Sequence, residues 1–363
     1  MKRPDYLLMG TLVIELIVAG FLVQRIVNSE MAFENKNTAP LALTANTDFT
    51  QISNDSPAEN STTTILVFGD MMLDRSVRQK MNKFGAGYPF ALIKDFLVGN
   101  DIVTANAEGP FTFNSSKTLG VHNGPLTFTF DPFALPILKK LGFTLLGQAN
   151  NHTLNFGTVG LKESENNIEQ AGLNWFGDPS NQDLHSFFTT IHGQKIAFVG
   201  YNQFTPSGLD NVTSEIQLAK AQGYFVIVYP HWGEEYALNQ NNFQTKIAHG
   251  FIDAGADAVI GSHPHVVEPI EVYKNKIIFY SLGNFIFDQA QSGPQSEGLS
   301  IGLSLSSTGV SYFIYPISIK QEQAALTSGG ARTKFLDDLA QRSAVSQELK
   351  QGIKNGEIDF NMI

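Results

Sequence analysis

Six short apolar runs in this sequence are each followed at once by residues of the kind that ligate metals or move protons. Run 65–68 leads into Asp70, run 102–105 into Glu108, and run 143–146 into Asn151 and His152. Run 224–229 leads into His231 and Glu234, run 256–260 into His263-Pro264-His265, and run 277–280 into Asn284. Each item alone has an ordinary reading. An aspartate after a strand is most often a helix cap, Asn-Asn-His a loop, and a histidine before Trp232 a core residue. His263-Pro264-His265 is more specific, because two histidines two apart on an extended segment point the same way and the proline stiffens them. Gathering so many ionisable groups in one place is costly without a compensating partner, and a cation is the economical one. With no cysteine in the chain, the ligands must be imidazole, carboxylate and amide. That mixed nitrogen and oxygen set suits Mn²⁺, Fe or Zn²⁺. A carboxylate among several histidines also suits a bridged pair of divalent ions ~3.5–4 Å apart, which would activate water and clamp the atom under attack.

These residues need a scaffold that brings six strand ends together. The runs alternate with amphipathic stretches at 132–141, 157–171 and 240–254, followed by Gly142, Gly172 and Gly255 at helix C′ positions. Strands alternating with helices predict an α/β fold. In open α/β sheets ligands bind beyond the carboxyl ends of the strands, where all six groups fall. Beyond Gly298, runs 299–305 and 310–319 predict an antiparallel hairpin, and 321–363 a polar helical tail. No internal repeat is present.

Composition narrows the classes. Hydrophobic residues at 42% exclude wholesale disorder. Lys+Arg 24 against Asp+Glu 34 leaves a net charge of −10, which argues against nucleic acid as a partner. The absence of cysteine excludes disulfides, thiolate zinc sites, iron–sulfur clusters and a lipoprotein anchor. At the N-terminus, residues 6–23 form an apolar run with one charge, Glu15, close to the about 20 residues a membrane span needs. Val18-Ala19-Gly20 makes a poor signal-peptidase site, so 1–28 is read as an uncleaved single-pass anchor. Lys2 and Arg3 favour the N-terminus inside and the body outside the cell membrane. Residues 29–61, rich in Asn, Ser, Thr and Ala, read as a flexible linker before a folded domain at 62–320.

Taken together, Gly69-Asp70-Met-Met-Leu73, Asn106-Ala-Glu108, Ala149-Asn-Asn-His152, His231-Trp-Gly-Glu-Glu-Tyr236, Gly261-Ser-His-Pro-His265 and Tyr280-Ser-Leu-Gly-Asn-Phe285 resemble the CapA family of poly-γ-glutamate capsule synthesis proteins. That family is similar to the calcineurin-like metallophosphoesterases. The resemblance implies a four-layer α/β/β/α sandwich and a divalent-metal site. Asp70, Glu108, Asn151, His231, His263 and His265 match its metal ligands, Glu108 as the bridging carboxylate. His152 matches the acid near the leaving group, and Arg75, Glu234 and Asn284 stand where substrate would be bound. The implied partners are a cell-surface anionic polymer, poly-γ-glutamate or a relative, and capsule-synthesis membrane subunits. Three departures stand out: Met72 replaces the histidine of Asp-x-His, Thr153 replaces a carboxylate after His152, and Asn155 replaces an aspartate. They leave open a metal-dependent hydrolase or transferase, a non-catalytic assembly or export factor, and a phosphoesterase or nucleotidase. An acidic chain also needs local positive charge to meet a polyanion, and Arg75 and Arg78 are the nearest supply. His122, His185, His192 and His249 read as turn, surface or core residues, and Trp232 and Phe285 as packing beneath the site.

Overall fold

The fold is described by a computed structural model covering residues 61–119, 126–183, 185–289 and 293–361. The expected anchor 1–28, the linker up to residue 60, and His122 lie outside the described residues. Among the described residues no helix is long and apolar enough to cross a membrane.

The strands are β1 (Thr63–Met71), β2 (Ile102–Ala107), β3 (Leu145–Gly147), β4 (Asn174–Phe176), β5 (Phe187–Ile191), β6 (Gln194–Asn202), β7 (Phe225–His231), β8 (Ala258–Ile260), β9 (Ile270–Tyr273), β10 (Lys276–Phe279), β11 (Asn284–Ile286), β12 (Glu297–Leu305), β13 (Gly309–Lys320), β14 (Gln323–Leu326) and β15 (Glu357–Asn361). The helices are α1 (Arg75–Phe84), α2 (Lys94–Leu97), α3 (Leu135–Lys140), α4 (Gly157–Gln170), α5 (Leu209–Ala221), α6 (Asn242–Ala254), α7 (Gly329–Arg342) and α8 (Gln347–Asn355).

Two sheets result. The first runs β14-β13-β12-β1-β2-β3-β4, with β11 also on β1 and β15 on β13; the second runs β5-β6-β7-β8-β10-β9. Strands β1 to β4 are mutually parallel, as are β6, β7, β8 and β10. Strands buried on both faces read as continuous apolar runs, which is why the runs were legible. Their alternation sorts the side chains into three cores. Ile65 and Val67 of β1 pack with Phe198, Ile227 and Ile260 between the sheets. Leu66 and Phe68 turn the other way, onto Val77, Met81, Leu138 and Ile168 of helices α1, α3 and α4. On the second sheet Val226 and Val228 face Val212, Ile216, Ile247 and Phe251 of α5 and α6. The layers are therefore helix, sheet, sheet, helix.

Local chemistry sets the helix ends. Asp74 caps α1, its carboxylate accepting from Arg75 N. Asn241 and Gln244 form a reciprocal capping box on α6, which ends at left-handed Gly255. The predicted hairpin is present as β12 and β13, antiparallel from Glu297↔Ser318 to Leu305↔Val310. The reading of 321–363 as a helical tail needs correction. It holds helices α7 and α8, but β14 and β15 flank them and both pair with β13. Leu336, Leu339, Ala340, Ile353 and Ile358 enter the middle core, so the segment is part of the sandwich.

One buried carboxyl gives the fold a pH signature. Glu268 accepts from Gln244 Nε2 at 2.7 Å, while its other oxygen has no partner. Burial pushes Glu268 up to about 8, against the pull of Gln244 and Arg342. Between roughly 4.5 and 8 the folded chain holds a proton the unfolded chain has released, so stability falls as pH rises through that window. The loss is on the order of 5 kcal/mol. Glu268→Gln is expected to flatten the profile: its Tm should exceed that of the unmodified chain by several degrees near pH 9 and match it near pH 5. Parallel melting curves at both pH values would refute the assignment.

Candidate metal centre

The carboxyl ends of both sheets meet at one place. Register does the first part of the assembly. On β1, Asp70 lies opposite Asn106 of β2 and Asn284 of β11, and His231 at the end of β7 bridges to Ser262 beyond β8. Asp70, Glu108, His231, His263 and His265 are all buried, and His152 is 8% exposed.

Asp70, Glu108 and His265 form one constellation, with one ligand atom from each lying within 4.8 Å of the others. His265 Nδ1 is 3.4 Å from Asp70 Oδ2 and its Nε2 is 3.5 Å from Glu108 Oε1. Asn151, His231 and His263 form a second. His231 Nε2 lies 2.9 Å from Asn151 Oδ1 and 3.1 Å from His263 Nδ1. Asp70 touches both groups, since its Oδ2 accepts from His263 N at 3.0 Å and its Oδ1 is 3.8 Å from His231 Nδ1. All six expected ligands are thus brought together, in an acidic half and an imidazole-amide half.

The extended reading of 263–265 does not hold. Both histidines adopt left-handed backbone, φ 99 and φ 59, a strained choice for residues with a Cβ and one that clusters at functional sites. Their rings, 5.8 Å apart, are dealt to different constellations. His263 goes to His231 and the Phe204 ring, His265 to the carboxylates and the Phe287 ring.

Charge in the cluster is unbalanced in a telling way. Burial lowers His231 well below the ordinary imidazole range, helped by repulsion from His263 and His265. It takes His263 to about 3, with His265 adding to the effect. Both rings are therefore neutral, with lone pairs free for a metal. Burial also opposes a charge on His265, but Glu108 and Asp70 outweigh it and raise it to about 9. Glu108 is pushed well up by burial and by Asp70, against the pull of His265. Neither oxygen of Glu108 accepts a hydrogen bond. A fully buried carboxylate with no donor is costly, and a divalent ion supplies what is missing. The donor set therefore fits the expected metal.

His152 stands beside Glu108, Nε2 to Oε1 at 3.9 Å. Its ring lies against Phe128, and its Nδ1 is 3.3 Å from Asn155 Oδ1. Burial lowers His152 to about 4, and the Asn155 hydrogen bond recovers only part of that. The three departures now have structural readings. Met72 is buried, and its sulfur accepts from Asp74 N at 3.1 Å. Asp74 does not fill in as a ligand, because its carboxylate accepts from Arg75 N, Ser116, Thr118 and Thr129 N. Thr153 donates to Gln148 O and contacts Asn150 Oδ1, tying the loop down. Asn155 offers His152 an amide oxygen and no charge. Asn155→Asp is expected to raise His152 by about one to two units through the added anion, enlarging its protonated fraction at pH 6 at least tenfold. An NMR titration of the His152 ring checks this; an unmoved midpoint would dismiss Asn155 as the cause.

The expected substrate-side residues separate. Arg75 is mostly buried and ion-paired with Asp288. Glu234 is exposed in the loop after β7, but the charge acting on Glu108 and His265 is that of its neighbour Glu235. Asn284 is buried. Its Oδ1 is 3.0 Å from His265 Nδ1 and its amide donates to Gln289 Oε1 and Gln295 O, so it stands behind His265 and not in the mouth of the site. Arg78 is taken by Asp131 at 2.7 Å. Trp232 and Phe285 are buried packing, Trp232 donating to Tyr280 O and Phe285 stacking near Phe68. His185, His192 and His249 sit elsewhere, against Trp175, Thr62 O and Glu271.

The ligands' supports were not singled out from sequence. Asn106 donates to Asp70 Oδ1 at 2.8 Å and faces His231 Nδ1 at 3.1 Å. Asn150 holds Asn106 and Ala107 O with its amide, while its oxygen receives His152 N and Thr153 N. Both lie inside the strand-end motifs, which was the available signal. Phe204 and Asp288 lie in loops that no motif marks.

Residues 64–289 match the family model described as bacterial capsule synthesis protein PGA_cap. The capsule biosynthesis protein CapA of Bacillus anthracis is 30% identical over 284 residues, covering 72% of this chain and 69% of that one. The PGA biosynthesis protein CapA of Bacillus subtilis (strain 168) is 28% identical over 317 residues, covering 81% of each. A probable polyglutamine synthesis accessory protein of Mycobacterium tuberculosis (strain CDC 1551 / Oshkosh) is 28% identical over 193 residues, covering 45% of this chain and 50% of that one.

Proposed function

The chain belongs to the bacterial capsule synthesis protein PGA_cap family, and from that premise we propose that it is a divalent-metal protein acting on an anionic cell-surface polymer, poly-γ-glutamate or a relative. The observation that carries the reading is Glu108: a buried carboxylate with two undonated oxygens, within ligand reach of Asp70 and His265. Asp70, Glu108 and His265 would hold one ion and Asn151, His231 and His263 a second, with Mn²⁺, Fe or Zn²⁺ suited to that donor set. When bound, such ions polarise a carbonyl or phosphoryl oxygen as Lewis acids. The chain's own residues do the rest. Asn106 and Asn150 fix the orientation of Asp70 and His231, Asn284 holds His265, and Phe204 and Phe128 limit water at His263 and His152. His152 Nε2 is placed to carry a proton at the rim, on the side of Glu108. The metallophosphoesterase likeness belongs to the same reading, as do the 1–28 anchor in the cell membrane and a body outside it.

A specific observation favours a second reading, an assembly or export factor that holds the polymer's carboxylates without turnover. His152 lies far below neutrality and has an amide where a carboxylate would sustain its proton. One experiment separates the two. A double variant Asp70→Asn, His231→Ala is expected to bind no metal and to fail to restore capsule in a deletion strain. Full restoration by a metal-free variant would sink the catalytic reading.

A further inference from the structure

Two aromatic rings stand exposed at the metal centre, one on each half. Phe204 is 44% exposed and Tyr236 46%, yet neither hangs loose. The Phe204 ring lies 4.3 Å from the His263 ring and 6.0 Å from the His231 ring. The Tyr236 ring lies 6.1 Å from the His265 ring. Each ring therefore leans on ligands of one constellation and turns the rest of its surface to solvent. The loops that carry them are tied into one piece. Gln203 N donates to His231 O at 3.0 Å, and Gln203 Oε1 accepts from Gly233 N at 2.8 Å. Phe204 N donates to Asn202 Oδ1 at 3.1 Å. Tyr236 N donates to Pro264 O at 2.8 Å, between the two histidine ligands. Its hydroxyl is committed as well, to Gln289 Nε2 at 3.1 Å and to Glu235. Tyr236 holds left-handed backbone, φ 67, a conformation that is strained for a residue with a Cβ and clusters at functional sites. With both ends of Tyr236 tied, what it has left to offer is the surface of its ring.

We infer that Phe204 and Tyr236 are specificity-determining residues whose ring faces receive the planar amides of the substrate's backbone, so that the centre selects a polyamide among polyanions. The inference rests on the polymer reading above and concerns the part of the polymer that metal ions would not take. An aromatic face carries the negative end of a quadrupole. It repels a carboxylate, but it stacks on an amide plane and accepts an amide N–H. A γ-linked glutamate chain alternates these two groups along its length. Its carboxylates would go to the ions and its amides to the rings. The rim fits this division, because its guanidiniums are committed elsewhere: Arg75 pairs with Asp288 and Arg78 with Asp131. Recognition by ring faces asks for no further cation from a chain of net charge −10.

The test uses the full chain loaded with Mn²⁺, with metal content measured in parallel. Two fluorescent probes are read by anisotropy: a γ-linked glutamate oligomer, and a polyacrylate of matched charge, which has carboxylates but no amides. The unmodified chain is expected to hold the glutamate oligomer more tightly. Phe204→Leu and Tyr236→Leu keep apolar cover over the histidines and remove the ring. Each should weaken oligomer binding about threefold to tenfold, the worth of one aromatic contact, with polyacrylate binding and Mn²⁺ content unchanged. Tyr236→Phe keeps the ring and should lose much less than Tyr236→Leu. Full oligomer affinity in both leucine variants overturns the ring faces as the recognising surface and leaves the polymer reading intact. An equal loss for both probes overturns amide recognition in favour of a general role in shaping the site. Loss of Mn²⁺ in either variant overturns recognition in favour of support for the metal. An unmodified, metal-loaded chain that binds neither probe overturns the polymer reading, and the inference with it; one that binds both alike overturns the amide preference alone. If Tyr236→Leu does not fold, Phe204→Leu still decides, since a phenyl ring gives up no hydrogen bond.

Discussion

Glu108→Gln is expected to abolish tight divalent-metal binding in the acidic half of the centre and, at the same time, to make the metal-free protein more stable. The two effects have one cause. Without metal, Asp70 and Glu108 repel one another in a site closed to water, and the proton on His265 is the local compensation. An amide at 108 removes the repulsion. It also removes a charged ligand, and losses of 100-fold or more in affinity follow, since even the outer partners of metal ligands are worth about 10–100-fold. Mn²⁺ titration calorimetry and melting curves with and without metal read both effects. A variant that binds Mn²⁺ as tightly as the unmodified chain would remove Glu108 from the ligand set. The pH dependence has a definite sign. His265 must give up its proton to ligate, and it holds that proton up to about 9, so apparent affinity should rise as pH increases from 6 to 9, with proton release on binding.

Gly69→Ala is expected to unfold the site and to destabilise the whole domain by more than about 3 kcal/mol, in the range reserved for severe core disruption. A Cβ at position 69 would fall 1.9 Å from Gly283 O, the same carbonyl that accepts from Asp70 N. Nearby, a Cβ at Gly298 would fall 1.9 Å from Asn284 O, and one at Gly261 would fall 2.1 Å from Tyr280 O. Backbone thus lies on backbone directly beneath the ligands, with no flexible side chain to give way. Gly193→Ala is the matched control: it is left-handed at φ +80 with nothing within 4 Å, so its cost should stay near 1 kcal/mol. Denaturant unfolding of the two variants gives the comparison. A loss at Gly69→Ala no larger than that at Gly193→Ala would mean that the neighbouring strand gives way and that close approach does not govern position 69.

Much of the centre was legible because burial and chemistry alternate so sharply along the chain. An apolar run such as 65–68 or 224–229 must be a buried strand, and a ligand-type residue at its end has few other reasons to be there. What could not be read depends on tertiary partners. β4 and β11 are three residues each and exist through pairing; nothing local separates them from loops. QAAL at 323–326 and EIDFN at 357–361 carry little apolar signal and become strands because β13 offers two open partners. The left-handed turn at 263–265 runs against residue preference, so an extended reading was the natural error. Asp288 lies 213 positions from Arg75 and no pattern connects them.

The partner of β1 has a consequence for how the protein comes into being. Ile65 to Val67 pair on one side with β2, while Thr63 to Phe68 pair on the other with β12, from Thr63↔Leu305 to Phe68↔Ser300. At about 5–20 residues per second of synthesis, the first strand waits on the order of 10–50 s for that neighbour. Until then one edge of β1 stays open. Neither Asn284 nor Gly283 is in place behind Asp70, so a nascent chain holds its ligands without a floor. Long-range pairing of this kind makes folding slow and leaves intermediates prone to aggregate. The centre is completed late, as a single event, and metal capture should follow the closing of the sheet and not guide it.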